Sequence, residues 1–260
     1  MQFFLNEILE DEAVRAVLRD NPTMVEEGRN IARRIIEGET ITPPVGRLPL
    51  FVLAYLADYA LEKNTARGIP REITVATLKD VNVWLHNYDA QYGDIGLAEL
   101  PWLIFHYTGD LFRLGRLQYR LEKPLTGMPL AEVAIETHIP QGEPLNTDAC
   151  LASFAQAKEF FATYFPEHAP THFMCDSWLL CPNLPHVAAE ESNIVRFMRL
   201  WTNIPFPDDN SAQAIERVFG FGFRREQLAE APEETGLQKR IKRYLLEGGN
   251  LPISAGYRKI

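Results

Sequence analysis

The 260 residues, 46% hydrophobic and 23% charged, suffice for one large or two small domains with a real core, which excludes a chain disordered over most of its length. The 35 acidic residues outnumber the 26 basic ones, and the formal charge of −9 excludes a general electrostatic pull toward nucleic acid or an anionic membrane. The same balance is compatible with a cationic or amine substrate.

The chain opens MQFFLNEILEDEAVR, with acids where a signal peptide needs a basic start and a longer apolar run, so a cytoplasmic protein is expected. Segments 10–20 and 23–37 have the pattern of amphipathic helices, and Asn21-Pro22-Thr23 supplies a stop and a fresh cap between them. A loop is expected at residues 39–44, then a buried helix from about Leu48 to Lys63. The stretch from Leu48 to Leu61 is the most apolar of the chain, but Asp58 interrupts it and it is too short to span a bilayer. Gly68-Ile69-Pro70 breaks the helix. Thr74 to Tyr88 places Val75, Leu78, Val81 and Leu85 near helical spacing, and Gly93 and Gly96 break again before an apolar stretch from Leu97 to Tyr107. Residues 1–110 therefore read as a helical N-terminal domain.

The character changes near Gly109. From Leu111 to Lys123, Leu117, Tyr119 and Leu121 alternate with Gln118, Arg120 and Glu122, as in a strand. Residues 131–139 alternate too: Ala131, Val133, Ile135, Thr137 and Ile139 face one way, and Glu132, Ala134, Glu136 and His138 the other. A loop, Pro140-Gln141-Gly142-Glu143-Pro144, follows. Asn146, Thr147 and Asp148 are all capable helix caps, and Leu151, Phe154, Phe161 and Phe165 suggest the apolar stripe of a helix. Residues 172–180 read as a central strand, with apolar side chains on both faces. A short helix is expected from Ile194 to Trp201 behind Ser192-Asn193. Two more strands or a hairpin are expected in 203–221 around Asp208-Asp209-Asn210, and a last helix from Leu237 to Leu246. Strands alternating with helices from residue 111 to 260 imply crossovers onto a partly parallel sheet. The fold class is thus α+β.

Some residues invite a chemical reading. His138 stands at a strand end on the polar face with Glu136, where an imidazole could serve as a base; a histidine tied to backbone is the plain alternative. Asp176 puts a carboxylate inside an apolar strand, which is costly unless paired; it could orient His138 or an amine, or pair with Arg113 or Arg116. Cys150, Cys175 and Cys181 have no disulfide spacing and read as reduced thiols, and Cys175 as a nucleophile would need a lowered pKa. His168 and His172 straddle Pro170, and Cys175, Cys181 and His186 lack ligand spacing, so no metal is expected. Lys239, Arg240, Lys242 and Arg243 on the last helix, and Arg224-Arg225 before it, are most simply surface charge.

Five phrases resemble, together and in this order, a bacterial family of acyltransferases: GIPREITVATLKDVNVWL (68–85), HYTGDLFRLGRLQYRL (106–121), HIPQGEPL (138–145), FMCDSWLLCPNL (173–184) and SNIVRF (192–197). Family members pair a helical N-terminal domain with a C-terminal domain similar to the GNAT superfamily of acyl-CoA-dependent N-acyltransferases. The resemblance runs from about residue 47, and residues 1–46 match less clearly. It implies a helical region followed by a GNAT-like mixed-sheet α/β domain. On that plan strand 131–139 bonds the pantetheine arm, and the helix from about Thr147 offers its N-terminal N–H groups to the pyrophosphate. Strand 172–180 splays away to admit the acyl group. Acetyl-CoA or another acyl-CoA would be bound by Ile139, Gln141, Gly142, Asn146 and Thr147. His138 would be the base, with Glu136 in reserve and Asp176 orienting His138 or the amine, and a small-molecule amine or peptide would be the acceptor. The superfamily's usual phosphate loop, Gln/Arg-x-x-Gly-x-Gly/Ala, is represented here only by Gln141-Gly142-Glu143-Pro144. That departure leaves an alternative: a non-catalytic ligand-binding or regulatory protein on a GNAT-like frame with a degraded CoA site.

Overall fold

Breakers at Pro22, Gly38, Gly68 and Gly93 cut the first hundred residues into short helical pieces, and the computed structural model, which describes residues 1–129, 132–208 and 210–260, shows them as such. The chain divides into two compact units, Met1–Arg113 and Leu114–Ile260. In the first, a π-helical turn at Phe4–Ile8 precedes α1 (Glu12–Asp20), α2 (Pro22–Ile36), α3 (Leu48–Ala66), α4 (Arg71–Leu78), α5 (Val81–Tyr92) and α6 (Leu100–Tyr107). Asp11 caps α1 by accepting from the Ala13 amide, and Pro22 starts α2, where a missing N–H costs nothing. Apolar all round through its first ten residues, α3 is buried there, with Leu50, Phe51, Leu53 and Leu56 in the core. It lies close against α2, because a Cβ on Gly28 would sit 2.6 Å from that of Phe51. The helix expected from Thr74 to Tyr88 is instead two, α4 and α5. The break falls at Asp80, whose carboxylate is buried and accepts from the Trp84 indole at 2.9 Å, while the Asn82 and Val83 amides make tight turn bonds to Lys79 and Asp80. Among the described residues no helix is long and apolar enough to cross a membrane.

From residue 111 the elements are β1 (Leu111–Leu114), β2 (Leu117–Glu122), β3 (Ala134–His138), α7 (Thr147–Tyr164), β4 (His172–Ser177), α8 (Asn193–Met198), β5 (Thr202–Ile204), α9 (Ala212–Phe219), α10 (Gly236–Leu246) and β6 (Ser254–Lys259). They form a six-stranded mixed sheet in the order β1-β2-β3-β4-β6-β5. β3 is antiparallel to β2 and parallel to β4; β6 is antiparallel to both β4 and β5. The parallel pair is joined by α7, as a crossover connection requires.

Several expectations need correction. The run from 111 to 123 is broken at Gly115, with φ +67°, into two strands. The strand expected over 131–139 is the shorter β3; Ala131, with Leu130 and Asp209, lies outside the described residues. β4 ends at Ser177, whose hydroxyl accepts from the Leu179 amide and turns 178–180 into a 3-10 helix. No hairpin forms among the described residues of 203–221. Asn210 accepts from the Ala212 amide and opens α9, which buries Ala214, Ile215 and Phe219 at helical spacing. The partner of β5 is β6, a six-residue strand that mixed composition hid. On α7, Leu151 is 41% exposed, so the stripe runs through Phe154, Ala157, Phe160 and Phe161 instead.

α7 covers one face of the sheet. The Phe154 ring centres this packing, 5.0 Å from Phe173, 5.5 Å from Trp201 and 6.1 Å from Tyr119, with the Arg258 guanidinium 4.3 Å above it. The Tyr119 hydroxyl meets that of Ser153 at 2.9 Å. Tyr119, Ile135 and Phe173 all point toward α7, so the alternate residues of β2, β3 and β4 point to the opposite face.

Candidate functional site

That opposite face carries the polar residues of three adjacent strands. The register sets Gln118 across from His138, Arg120 from Glu136 and Glu122 from Ala134, and on the other side Glu136 from Met174. Asp176, two residues beyond Met174, shares the face, across from Ala255 of β6. His138, Glu136 and Asp176 are thus brought to one face by strand parity.

The pairing of β3 with β4 covers two positions, Ile135 with Phe173 and Glu136 with Met174. Among the described residues it goes no further, although β4 stays paired with β6 through Ser177. The two parallel strands therefore part between His138 and Asp176, leaving main-chain groups of both unengaged with each other.

Glu136 is 8% exposed and sits between two partners. Its Oε2 accepts from the Arg120 guanidinium and lies 3.1 Å from His138 Nε2; Arg120 also reaches Glu122 at 3.0 Å. Burial pushes the Glu136 carboxyl up, but the bonds and charges of His138 and Arg120 outweigh it and hold the group below the usual carboxylate range. At Asp176 the balance reverses. Burial first, then the charge of Glu136, push its carboxyl up against the weaker pulls of His138 and Arg120. The expected pairing of Asp176 with Arg116 is not what the structure shows, because Arg116 gives its guanidinium to the carbonyl groups of Pro140, Glu143 and Pro144.

These shifts have a testable sign. A raised folded-state pKa for Asp176 means its ionised form strains the fold, a cost absent below the ordinary aspartate value and full once pH exceeds the raised value. Asp176→Asn is therefore expected to raise the melting temperature at pH 7–8 by about 2–4 °C, on the order of 1 kcal/mol. The gain should vanish as pH falls through 4, and scanning calorimetry across that range is the check; an equal gain at every pH would contradict it.

The candidate cofactor contacts lie where β3 gives way to α7. Ile139 follows β3 directly, Gln141 is exposed, and Gly142 adopts φ +120°, a conformation side chains disfavour. Asn146 uses its side-chain Oδ1 as the helix cap, accepting from the Asp148 amide at 2.9 Å and the Ala149 amide at 3.2 Å, and its own N–H donates to the Pro144 carbonyl at 2.8 Å. Thr147 begins α7, and its hydroxyl is sealed from solvent with no hydrogen-bond partner.

Other candidates have structural work. Burial, then the charges of Asp176 and Glu136, push the Cys175 thiol well up, which disfavours a nucleophilic thiolate. Trp178 is buried, its amide bonded to Gln213. Arg240 donates to the Val187 carbonyl, and Lys242 to that of Ala231 and to Glu233. Arg225 is exposed, as expected, and its guanidinium also donates to the Leu245 and Gly249 carbonyls at the end of α10. Among the described residues no group of three or more His, Cys, Asp or Glu converges as a metal site would need. Sequence reasoning missed Arg120 as a partner of Glu136, although the alternation Gln118, Arg120, Glu122 already marked a polar face. It named Arg116 only as a candidate partner for Asp176 and missed its bonds to the loop carbonyls.

Comparison with known proteins fits this geometry. Residues 111–258 match the model of a GNAT-like C-terminal domain, and residues 4–109 that of an N-acyltransferase N-terminal domain. Among solved structures, an acyltransferase in complex with decanoyl-CoA is 26% identical, with a TM-score of 0.78 over 91% of this chain and 77% of that one. An acyltransferase in complex with decanoyl-CoA and teicoplanin is 24% identical, with a TM-score of 0.84 over 99% of this chain and 87% of its own. An acyltransferase mutant with octanoyl-CoA has the same identity and score, over 100% and 87%. At 24% identity these last two speak to the fold alone. No curated protein matches the chain.

Proposed function

The chain belongs to the family that joins an N-acyltransferase N-terminal domain to a GNAT-like C-terminal domain, and from that premise we propose that it transfers an acyl group from acyl-CoA to an amine. The observation that carries this reading is the parting of β3 and β4 beside the Arg120–Glu136–His138 chain. A parallel pair that separates at its C-terminal ends offers extended backbone to a pantetheine arm and leads it to side chains able to move a proton. The acyl-CoA ligands of the similar solved acyltransferases support the choice of donor. We assign residues 111–260 to the transferase domain and residues 1–110 to the helical domain that accompanies it.

In this reading Ile139, Gln141, Gly142, Asn146 and Thr147 line the course of CoA from the end of β3 to the start of α7. Glu136 Oε2 lies 3.1 Å from His138 Nε2, and the carboxylate stabilises the imidazolium that forms when the ring takes a proton. The amine nitrogen attacks the thioester carbonyl, a C–N bond forms, and the C–S bond breaks to release CoA; the proton lost by the amine goes to His138. Main-chain N–H groups of β3 are the donors for the oxyanion that develops. Asp176, on the same face, holds the amine beside His138; small-molecule amines and peptides are the acceptors this suits. The teicoplanin bound by a solved acyltransferase of the same fold is a glycopeptide, a precedent for an acceptor of that kind.

Thermal unfolding with acetyl-CoA and decanoyl-CoA tests the donor. At a hundredfold excess over the dissociation constant, stabilisation of about 2.7 kcal/mol is expected. CoA release should then depend on added amine. No shift with either thioester would favour the non-catalytic alternative.

A further inference from the structure

The loop between β3 and α7 departs from the superfamily's phosphate-binding pattern, yet a single side chain organises it from behind. Arg116, 6% exposed, follows Gly115 in the turn between β1 and β2. Its Nη1 donates to Pro140 O at 3.0 Å, its Nη2 to Glu143 O at 2.5 Å and its Nε to Pro144 O at 3.2 Å. One guanidinium thus takes three carbonyl groups from five consecutive residues. Carbonyl oxygens accept these bonds without cancelling the charge, unlike a carboxylate.

Two consequences follow from peptide geometry. In a trans peptide the C=O and the next N–H point in opposite directions, and among the described residues no peptide bond is cis. Turning the Pro144 carbonyl toward Arg116 therefore turns the Leu145 N–H group to the other side of the loop. Gly142, at φ +120°, supplies the backbone conformation within that stretch. The second consequence is electrostatic. Arg116 acts on Cys150, in the first turn of α7, opposing the rise that burial causes there. Its positive charge thus lies near the same helix start whose dipole favours an anion.

We infer that Arg116 is the positioning residue of the phosphate-binding loop, holding carbonyl groups inward so that loop N–H groups and a fixed positive charge serve the pyrophosphate of CoA. This rests on the transferase reading above. It accounts for the two departures in sequence: Glu143 and Pro144 contribute their carbonyl groups to Arg116, so the loop depends on a buried arginine from another strand turn as well as on Gly142.

Two thioesters separate this role from a merely structural one: decanoyl-CoA, and S-decanoyl-pantetheine, which lacks the nucleotide and pyrophosphate. Arg116→Lys keeps the charge but cannot span three carbonyls, and it is expected to raise KM for decanoyl-CoA about 10- to 100-fold with kcat kept within about twofold. KM for decanoyl-pantetheine should stay at the wild-type value. Gly142→Ala, with Arg116 intact, should give the same selective loss and guards against a variant that fails to fold. Equal losses for both thioesters, or no loss for either, would overturn the role of Arg116. A wild-type protein that ignores decanoyl-CoA would instead overturn the transferase reading itself.

Discussion

Exchange of His138 for glutamine is expected to lower kcat by about 10²–10⁴-fold, the usual worth of a positioned general base. Acyl-CoA affinity should be unchanged, because the side chain reaches the acceptor's proton rather than the nucleotide. The expectation rests on placement. His138 is the last residue of β3, at the point where β4 no longer pairs with it, and Glu136 lies 3.1 Å from its Nε2. Glutamine keeps a polar amide beside Glu136 but cannot accept and carry a proton at neutral pH. Steady-state kinetics with a decanoyl-CoA donor, alongside calorimetric binding of the same thioester, separate the two quantities. Turnover at the wild-type rate would remove His138 from the mechanism. Weakened binding with unchanged kcat would reassign it to the donor site.

The second large effect concerns stability. Arg120→Met leaves the Glu136 carboxylate, 8% exposed, without its guanidinium, and breaking a buried pair from one side typically costs about 3–5 kcal/mol. The double variant Arg120→Met with Glu136→Gln should recover much of that loss, since no unpaired charge remains. Urea denaturation of the two variants and wild type is the measurement, and equal stability of both variants would contradict the assignment. The pH dependence has a definite sign. A carboxyl held below its ordinary value contributes stability that is present above the unfolded value, about 4.3, and lost as pH falls through the folded one. Without Arg120 one of the two stabilising partners is gone, so the group moves up and acid unfolding should begin at a higher pH.

A polar chain occupies the centre of the sheet, as the proposed proton transfer requires. Ala134, Ile135, Glu136 and Thr137 are all buried, and an apolar residue at 136 would fill the place with less electrostatic cost. Arg120 offsets the cost of Glu136, and Glu136 in turn places its charge 3.1 Å from His138 Nε2. Asp176, by contrast, stays strained by burial and by its neighbour's charge, which suits a group that gains a partner when a cationic acceptor arrives.

Much of this was legible in the sequence because it depends on local patterns. Helical spacing and breakers marked the helical first part, strand alternation put Glu136 and His138 on one face, and Asn146 advertised the start of α7 by its capping chemistry. Short apolar runs misled where period alone cannot distinguish helix from strand, as at 212–219, and β6 escaped notice because its stability comes from β4 and β5 rather than from its own residues. What only the tertiary structure decided is which distant residues meet. Register between β2 and β3 gave Glu136 its arginine, the brief pairing of β3 with β4 opened the cleft, and the turn at Gly115 delivered Arg116 beneath a loop 24 to 28 residues further along the chain. Side-chain parity is written into each strand, whereas partners across strands are set by how the whole sheet packs, and no single segment contains that information.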